Sequence, residues 1–526
     1  MSAELARPEV PPVGPLRQSN AQPLPTLTRR ASLNAGAVLL DHAARAGVTL
    51  LVTPLLVSSL GRALYGTWEM LGRLTGYMAA ADGRANHALR LLIAHKQALQ
   101  DEAGKRRHVG AAVAVWLLFL PLVLASAAAL VWFAPALTHA TPQLVTSVRV
   151  TCAFGALTMV FSGLILIPEA VLRGSNLGYR RFGVQALTSV VAGLLMVGAL
   201  KLGFGLEGIG AVSFVVALLT GLLFWTLARA YVPWFGIALP TRAEVRGLLG
   251  ISGWYSVGDC VARLLLASDV VILGAITSTA TVALFALTSF ATRTAVNFQS
   301  LMTGAAMPGY GEVIGRGQNE RAAALRSELL MLTWLALTAI GVLVLLCNAS
   351  FVALWVGAAS YAGTWPNLLL VVLAVQTSLI RCDSYIIDAA LQPRQRVLIS
   401  FAAAAIAITS MLPLTVRFGM VGLCLGLLAG RLVQSIAYPV LATTVLARPR
   451  PSAFTGTLRP ACTTLSVFTI AAALGSTWRA SGWVALGALA IASCGAAVVL
   501  CLLFGLDAAQ RSALRYRLTV LWSRAR

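Results

Sequence analysis

The sequence predicts an all-α polytopic membrane protein, and three observations lead to this fold class. The chain of 526 residues is 58% hydrophobic and only 11% charged, with a mean hydropathy of +0.82, so it is far more apolar than soluble globular domains. Apolar segments of about 20 residues, the length that crosses a hydrocarbon core of about 30 Å as a helix, recur along the chain. Lys and Arg are concentrated between alternate segments, as in membrane proteins of fixed orientation.

Fourteen segments are long and apolar enough to be membrane-spanning helices, although the second is short and polar. In chain order they cover residues 35–59, 64–81, 110–134, 146–171, 182–203, 207–228, 248–275, 281–307, 328–349, 366–391, 397–416, 419–446, 459–478 and 482–505.

Charged residues repeat six segments apart. The first and seventh segments both contain the pattern D-x-x-x-R at an offset of 218 residues, and further charges match downstream at similar offsets. Since six is an even number, the two sets of six helices have the same orientation and are expected to be related by an axis along the membrane normal. The matched pairs are Asp41 with Asp259, Arg45 with Arg263, Arg73 with Arg293, and Glu169 with Asp388.

This repeat predicts two pseudo-symmetric six-helix lobes that face each other, followed by two extra C-terminal helices. The predicted parts are a disordered cytoplasmic tail (1–30), an N-lobe (31–230), a cytoplasmic linker (231–247), a C-lobe (248–446), and the last two helices with a basic cytoplasmic tail (447–526).

The distribution of Lys and Arg predicts the orientation. Of the 40 Lys and Arg residues, seven lie within the predicted spans and only four lie in loops on one side of the membrane, namely Arg62, Lys201, Arg417 and Arg479. The rest lie on the other side, which the positive-inside rule assigns to the cytoplasm. Both termini are therefore predicted to be cytoplasmic, and the net charge of +22 reflects this topology rather than binding of nucleic acid.

Charges inside the spans mark the candidate site. Ser252, Ser256, Asp259 and Arg263 are spaced to share one helix face, and ionised groups at mid-bilayer, each costing about 2.5–3.5 kcal/mol, usually face a bundle interior or a wet cavity. We expect a mid-membrane anion site with two arginines from each lobe. Its predicted residues are Arg45, Arg73, Arg263 and Arg293, with Asp41, Asp259 and Glu69 as counter-ions or coupling groups.

Each of these assignments has a structural alternative. Intramembrane Asp–Arg pairs also pin helices together, so the D-x-x-x-R pairs fit either a functional or a structural role. Arg381 and Asp383 in the tenth span are equally open to both interpretations. Glu169 and Asp388, near cytoplasmic helix ends, are candidates for an inner gate or the path of a coupling ion, with a solvated helix-end carboxylate as the alternative.

Motifs of other function classes are missing from the sequence. The five histidines show no HExxH spacing, the eight cysteines form no CxxC pair, and no P-loop or GxGxxG pattern opens a helix after a strand. The sequence therefore indicates no metal site, no cofactor and no enzyme.

The segment 84–107 is expected to form an amphipathic loop helix on the cytoplasmic membrane surface.

Four stretches resemble the polysaccharide transporter family, the flippases for lipid-linked O-antigen, capsule and exopolysaccharide units, which belongs to the multidrug/oligosaccharidyl-lipid/polysaccharide (MOP) flippase superfamily. They are LGRALYGTWEM (60–70), ADGRANHALRLLIAH (81–95), IPEAVLRGSNLGYRR (167–181) and FVALWVGAASY (351–361). The segment at 81–95 departs from the family pattern, because the usual aromatic and leucine after its aspartate are missing.

The resemblance implies a flippase of the bacterial inner membrane that moves a polyprenyl-pyrophosphate-linked oligosaccharide to the periplasmic face by alternating access. Its implied partners are this lipid-linked substrate, membrane lipids, and a polysaccharide polymerase and glycosyltransferases, without nucleic acid. Two alternatives remain. A drug or metabolite antiporter of the same superfamily would need a cavity rich in carboxylates, and a membrane-embedded polymerase or glycosyltransferase would usually carry a large extramembrane loop with catalytic groups.

Overall fold

The fold was analysed in a computed structural model of the chain. It describes residues 24–78, 83, 85–97, 101–175, 177, 183–266, 268–305, 307–390, 393–447, 454, 456–507 and 510–512. Most of the predicted N-terminal tail and of the basic C-terminal tail lies outside these residues, and residues 24–30, which were predicted to be disordered, are helical.

The described residues form seventeen α-helices. The first seven are α1 (Leu24–Met78), α2 (Ala85–Gln97), α3 (Glu102–Leu137), α4 (Val145–Ile165), α5 (Ile167–Gly174), α6 (Val184–Lys201) and α7 (Gly205–Tyr231). The others are α8 (Arg242–Leu266), α9 (Ser268–Ile276), α10 (Thr279–Thr288), α11 (Phe290–Ala305), α12 (Met307–Gly315), α13 (Asn319–Val356), α14 (Thr364–Ala389), α15 (Pro393–Val445), α16 (Leu458–Thr477) and α17 (Trp483–Leu500). Short 3₁₀ turns cover Pro142–Leu144 and Ala358–Ser360, and a π-helical turn covers Cys501–Gly505.

The prediction of an all-α polytopic membrane protein is confirmed. Of the described helices, ten are long and apolar enough to cross a membrane, and the bent pair α10–α11 makes an eleventh candidate. The difference from the fourteen predicted segments has a simple origin. Helices α1 and α15 each contain two predicted segments, and the seventh segment is divided between α8 and α9.

Two glycines allow the chain to turn within α1 and α15. Gly61 (φ 75°) and Gly419 (φ 56°) adopt left-handed backbone angles, which are costly for residues with a Cβ. The two arms of α15 then pack closely against each other, since a Cβ at Gly422 would lie 1.8 Å from the Leu414 carbonyl oxygen. Helix α15 is therefore a hairpin of two membrane-spanning arms joined at Gly419.

The helices form two halves, which we define as α1–α7 and α8–α17. In the first half α4 packs on α3 and α7, and α6 packs on α1 and α7. In the second half α14 packs on α11, α13 and α15, while α16 and α17 pack on α13. A buried apolar cluster joins the halves, because Met70 and Leu74 of α1 belong to the same cluster as Leu273 of α9 and Phe285 of α10.

The halves are in direct contact at the end of the bundle where α1 turns at Gly61, which we call the distal end. Arg62 Nη1 donates to the Ala359 carbonyl oxygen at 2.6 Å, and the Trp355 indole nitrogen donates to the Leu50 carbonyl oxygen at 2.6 Å. The backbones approach still more closely at Gly66, where an added Cβ would lie only 1.7 Å from the Thr279 carbonyl oxygen. The distal end is therefore closed.

The loop helix α2 corrects one expectation. It is helical and amphipathic, but its apolar face is buried against protein, with Ala88, Leu89 and Ile93 fully inaccessible. These side chains belong to a cluster with α3, α5 and α8. The sequence pattern gave the helix correctly, but it could not show that the apolar face packs on neighbouring helices instead of lying on the membrane.

The segment before α8 is tied to the start of α3. Arg106 Nε donates to the Trp234 carbonyl oxygen at 2.8 Å, and Ala238 N donates to the Arg106 carbonyl oxygen at 3.2 Å. Glu244 accepts from Arg107 at 2.8 Å. Partial burial raises the pKa of Glu244, but the hydrogen bonds from Arg107 and Thr241 outweigh it and lower the pKa to about 2. Helix α8 begins at Arg242, six residues before the predicted start of the seventh span.

Candidate functional site

Two breaks in the helices of the second half place charged side chains at the interface between the halves. Helices α10 and α11 meet at an angle of 52°, and Arg293 lies in the first turn of α11, where its backbone N–H donates to the Ser289 carbonyl oxygen. Asp269 lies in the first turn of α9, where the exposed backbone N–H groups of a helix favour a negative charge. Both side chains point into a cavity.

The first cavity has a volume of about 300 Å³ and lies mainly in the second half, between α9, α10, α11, α14 and α15. Arg73 of α1 also lines it. The described ionisable residues of its wall are four arginines and one carboxylate, namely Arg73, Arg293, Arg381, Arg431 and Asp269. The lining is therefore strongly positive.

Arg293 and Asp269 form a loose ion pair in this cavity. The Arg293 Nη2 to Asp269 Oδ2 distance is 3.5 Å, and the two side chains are 30% and 14% exposed. The guanidinium also lies 5.4 Å from the centre of the Phe285 ring, a cation–π distance. Because the pair has neither short nor bidentate geometry, much of the hydrogen-bonding capacity of Arg293 is available to a ligand.

A second cavity of about 320 Å³ lies between α1 and α11. Arg45 and Glu69 line it on the α1 side, and Arg293 and Asn297 line both cavities, so the two are adjacent. Glu69 Oε1 accepts a hydrogen bond from the Tyr65 hydroxyl at 3.0 Å. Arg45 and Asn297 are exposed, so this cavity reaches the surface at these two residues.

The structure brings three of the four predicted arginines together. Arg45, Arg73 and Arg293 line the two adjacent cavities. Arg263 takes a different position, because its Nη1 donates to the Gly76 carbonyl oxygen of α1 at 2.6 Å and so joins the two halves. Asp41 is buried, with 3% of its surface exposed.

The predicted partner of Arg263 cannot be placed. The Asp259 side chain lies outside the described residues, although its backbone is part of α8. The Asp41–Arg45 and Asp259–Arg263 pairs therefore stay predictions.

Two charged residues in the wall of the first cavity were not among the predicted site residues. Asp269 is visible in the sequence as a charge inside the seventh span, and Arg431 as an isolated arginine inside the twelfth. Intramembrane position alone could have flagged both. The repeat analysis did not select them, since it retained only charges with a counterpart six spans away.

Arg381 and Asp383 separate onto different faces of α14. Arg381 lines the first cavity, and its Nη1 donates to the Ser300 hydroxyl. Asp383 instead accepts two hydrogen bonds from Arg326, at 2.6 and 3.2 Å, and both side chains of this pair are almost fully buried. Arg381 and Asp383 therefore do not pair with each other, because residues two apart on a helix do not face each other.

The gate candidates Glu169 and Asp388 each pair with an arginine of their own half. Glu169 accepts from Arg173, four residues later, with a shortest distance of 2.7 Å. Asp388 accepts from Arg396, at the start of α15. Neither contact crosses between the two halves. The gate role of these carboxylates stays a prediction.

The comparisons with known proteins concern the fold. No protein-family model and no curated protein sequence matches the chain. Among solved structures, it is similar to the lipid II flippase MurJ in an inward closed conformation, with a TM-score of 0.67 and 10% identity over 93% of this chain and 99% of that one.

Multidrug resistance MATE family transporters of the MOP superfamily are also similar. An inward-facing structure has a TM-score of 0.57 and 14% identity over 79% of this chain and 98% of that one. An outward-facing structure has a TM-score of 0.56 and 15% identity over 80% of this chain and 96% of that one. The chain therefore has the fold of MOP-superfamily transporters.

Proposed function

We propose that this chain is a flippase that moves a polyprenyl-pyrophosphate-linked oligosaccharide across the inner membrane for synthesis of an exopolysaccharide, O-antigen or capsule. The observation that carries the proposal is the wall of the first cavity, whose described ionisable residues are four arginines and one aspartate. A positive cavity inside a transporter fold suits an anionic headgroup. The fold similarity to a lipid II flippase over 93% of the chain supports a lipid-linked substrate.

The pyrophosphate would bind where Arg45, Arg73 and Arg293 come together. A guanidinium presents its N–H groups in a fork that matches phosphate oxygens, and it stays charged in a partly dry cavity. Since Asp269 holds Arg293 only at 3.5 Å, an entering phosphate can replace this carboxylate as the partner of the arginine. Release of the carboxylate then offers a group for coupling to a proton or a metal cation.

Transport would proceed by rocking of the two halves. The contacts of Arg62 and Trp355 close the distal end, and the second cavity opens on the other side at Arg45. Binding from that side, followed by exchange of the distal contacts for contacts at the opposite end, is alternating access. We assign the open side to the cytoplasm and both termini to the same side, with the lobes and linker as predicted from the repeat.

A cation-coupled drug or metabolite antiporter is the second candidate. The similarity to multidrug transporters and the presence of Glu69 in the second cavity favour it. The charge of the first cavity opposes it, because a cationic drug would meet four arginines and one carboxylate there. The proposed partners of the flippase are a polysaccharide polymerase and glycosyltransferases, and we propose no enzymatic activity for this chain.

The decisive experiment removes two arginines from opposite halves. In a strain that lacks its own flippase gene for the pathway, we expect the Arg73→Ala, Arg293→Ala double variant to abolish surface glycan, since the headgroup loses both forks. Glycan display is measured together with the amount of protein in the membrane.

Arg149→Ala is the matched control, because this arginine of α4 lines neither of the two cavities and instead lies 5.0 Å from the Trp132 ring. This variant should leave glycan display unchanged. Full display by a well-expressed double variant would contradict the anion-site proposal. A reporter fused after Arg526 checks the orientation in the same strain.

A further inference from the structure

Arg381 and Arg431 lie together in the part of the first cavity that belongs to the second half alone. Arg431 Nη1 donates to the Thr377 hydroxyl, and Thr377 lies four residues before Arg381 on α14. Residues spaced in this way share a helix face one turn apart, about 6 Å along the axis. Arg381 and Arg431 therefore line the cavity from neighbouring positions, with the Arg431 guanidinium at the helix turn that precedes Arg381.

The orientation of both arginines is fixed by neutral groups. Arg381 donates to the Ser300 hydroxyl of α11, and Arg431 donates to the Thr377 hydroxyl of α14. Within the described part of the chain, neither forms an ion pair with a carboxylate, whereas Arg293 already has Asp269. Two half-buried cations inside a membrane-spanning bundle, held by neutral hydroxyls, are costly unless an anion joins them.

Arg381 and Arg431 are not needed to bind the pyrophosphate. The proposed headgroup site uses Arg45, Arg73 and Arg293 near the interface between the halves, and each lipid-linked substrate has a single pyrophosphate. Any other anion on such a molecule belongs to its sugars. A sugar carboxylate is planar and accepts two parallel hydrogen bonds, the geometry that a guanidinium fork offers.

The size of the cavity fits the same ligand. A volume of about 300 Å³ is at the lower end of the range of about 300–1,000 Å³ for small-molecule pockets, which suits one sugar ring rather than an oligosaccharide. We infer that Arg381 and Arg431 form a carboxylate subsite and that the translocated glycan contains an acidic sugar. This inference rests on the proposed flippase function, and it adds the class of substrate.

The test uses the purified full-length chain in detergent and follows thermal unfolding in chloride-free buffer. The probes are D-glucuronate, its neutral amide D-glucuronamide, inorganic pyrophosphate and chloride. We expect glucuronate and pyrophosphate to stabilise the protein at concentrations where glucuronamide does not. The amide has nearly the same shape as the acid, so the difference between the two isolates the carboxylate charge.

Variants locate the binding site. Arg381→Gln with Arg431→Gln should weaken glucuronate binding at least about tenfold in Kd, the usual scale for losing charged hydrogen bonds, and change pyrophosphate binding by less than about threefold. The pair Arg381→Lys with Arg431→Lys keeps the charge without the fork, so it should give an intermediate loss. Arg149→Gln is the control and should leave both ligands unaffected.

Each result discriminates. Pyrophosphate binding with glucuronate no better than glucuronamide would overturn the carboxylate subsite and leave the flippase proposal standing. Equal stabilisation by chloride and glucuronate would also overturn it, in favour of an inorganic anion. A glucuronate response without any pyrophosphate response would count against the flippase proposal and support the subsite alone. These comparisons use the wild-type protein, so they hold even where a variant does not accumulate.

Discussion

Two arginine–aspartate pairs of the second half differ in nearly every respect except residue type. Arg326 and Asp383 are joined by two hydrogen bonds, at 2.6 and 3.2 Å, and are 9% and 3% exposed. Arg293 and Asp269 approach only to 3.5 Å and are 30% and 14% exposed in a cavity. The first pair is saturated by its own partner, while the second leaves its arginine able to bind something else.

The largest effect on stability is expected at the buried pair Arg326–Asp383, which we call the closed pair. Arg326→Ala leaves the Asp383 carboxylate buried without its partner, and such changes cost about 3–5 kcal/mol in the free energy of unfolding. Thermal unfolding of the purified protein and its yield in the membrane measure the loss. Replacing both residues by leucine should restore most of the stability, because no buried charge remains. A single variant as stable as the wild type would show that the pair does not pin α13 to α14.

At the pair Arg293–Asp269, which we call the open pair, we expect a smaller effect on stability and an effect on ligand binding. Asp269→Asn should lower the free energy of unfolding by less than about 1 kcal/mol, as for other solvent-accessible pairs. It should also bind inorganic pyrophosphate several-fold more tightly, since the carboxylate no longer competes for Arg293. Thermal shift titration measures both quantities. Destabilisation as large as that of Arg326→Ala would remove the distinction between the two pairs, and weaker pyrophosphate binding would reject the exchange of partners.

The smallest effect is expected at a third, surface pair, Arg107–Glu244, whose side chains are 37% and 15% exposed. Folding lowers the pKa of Glu244 from 4.5 to about 2. The ionised form is thus favoured in the folded protein, and its stabilisation is present above about pH 4.5 and lost as the pH falls toward 2.

Glu244→Gln removes the carboxylate of this pair, and it should cost no more than about 0.5 kcal/mol at neutral pH. The difference in thermal stability between wild type and variant should shrink as the pH falls from about 5 to about 2. A difference that does not change with pH would exclude this ion pair as its cause.

The closed pair also shows what could be predicted from the sequence. Helix positions followed from the length of the apolar segments, because each span must satisfy its backbone hydrogen bonds internally and so depends on local residues. Pairing between distant helices is not local. Arg326 and Asp383 are 57 residues apart, and nothing in either segment specifies which helix faces the other.

The candidate site was predictable in part for the same reason. Internal repetition selected Arg45, Arg73 and Arg293, which the structure places around two adjacent cavities. Repetition also selected Arg263, which bonds a backbone carbonyl of the other half instead. It missed Arg431 and Asp269, whose roles depend on how α9 and α15 pack rather than on any counterpart in the first half.

Gly66 lets the two halves approach each other closely at the distal end. With 1.7 Å between a Cβ at this position and the Thr279 carbonyl oxygen, a single methyl group would act as a wedge in the closed distal end. In the proposed alternating-access cycle the halves separate here in the distally open state, so alanine at this position would penalise the closed conformation only and change the equilibrium constant between the two. Each 1.4 kcal/mol of that selective penalty moves the ratio of the two populations about tenfold. The absence of a side chain at Gly66 thus lets α1 and α10 meet at the distal end.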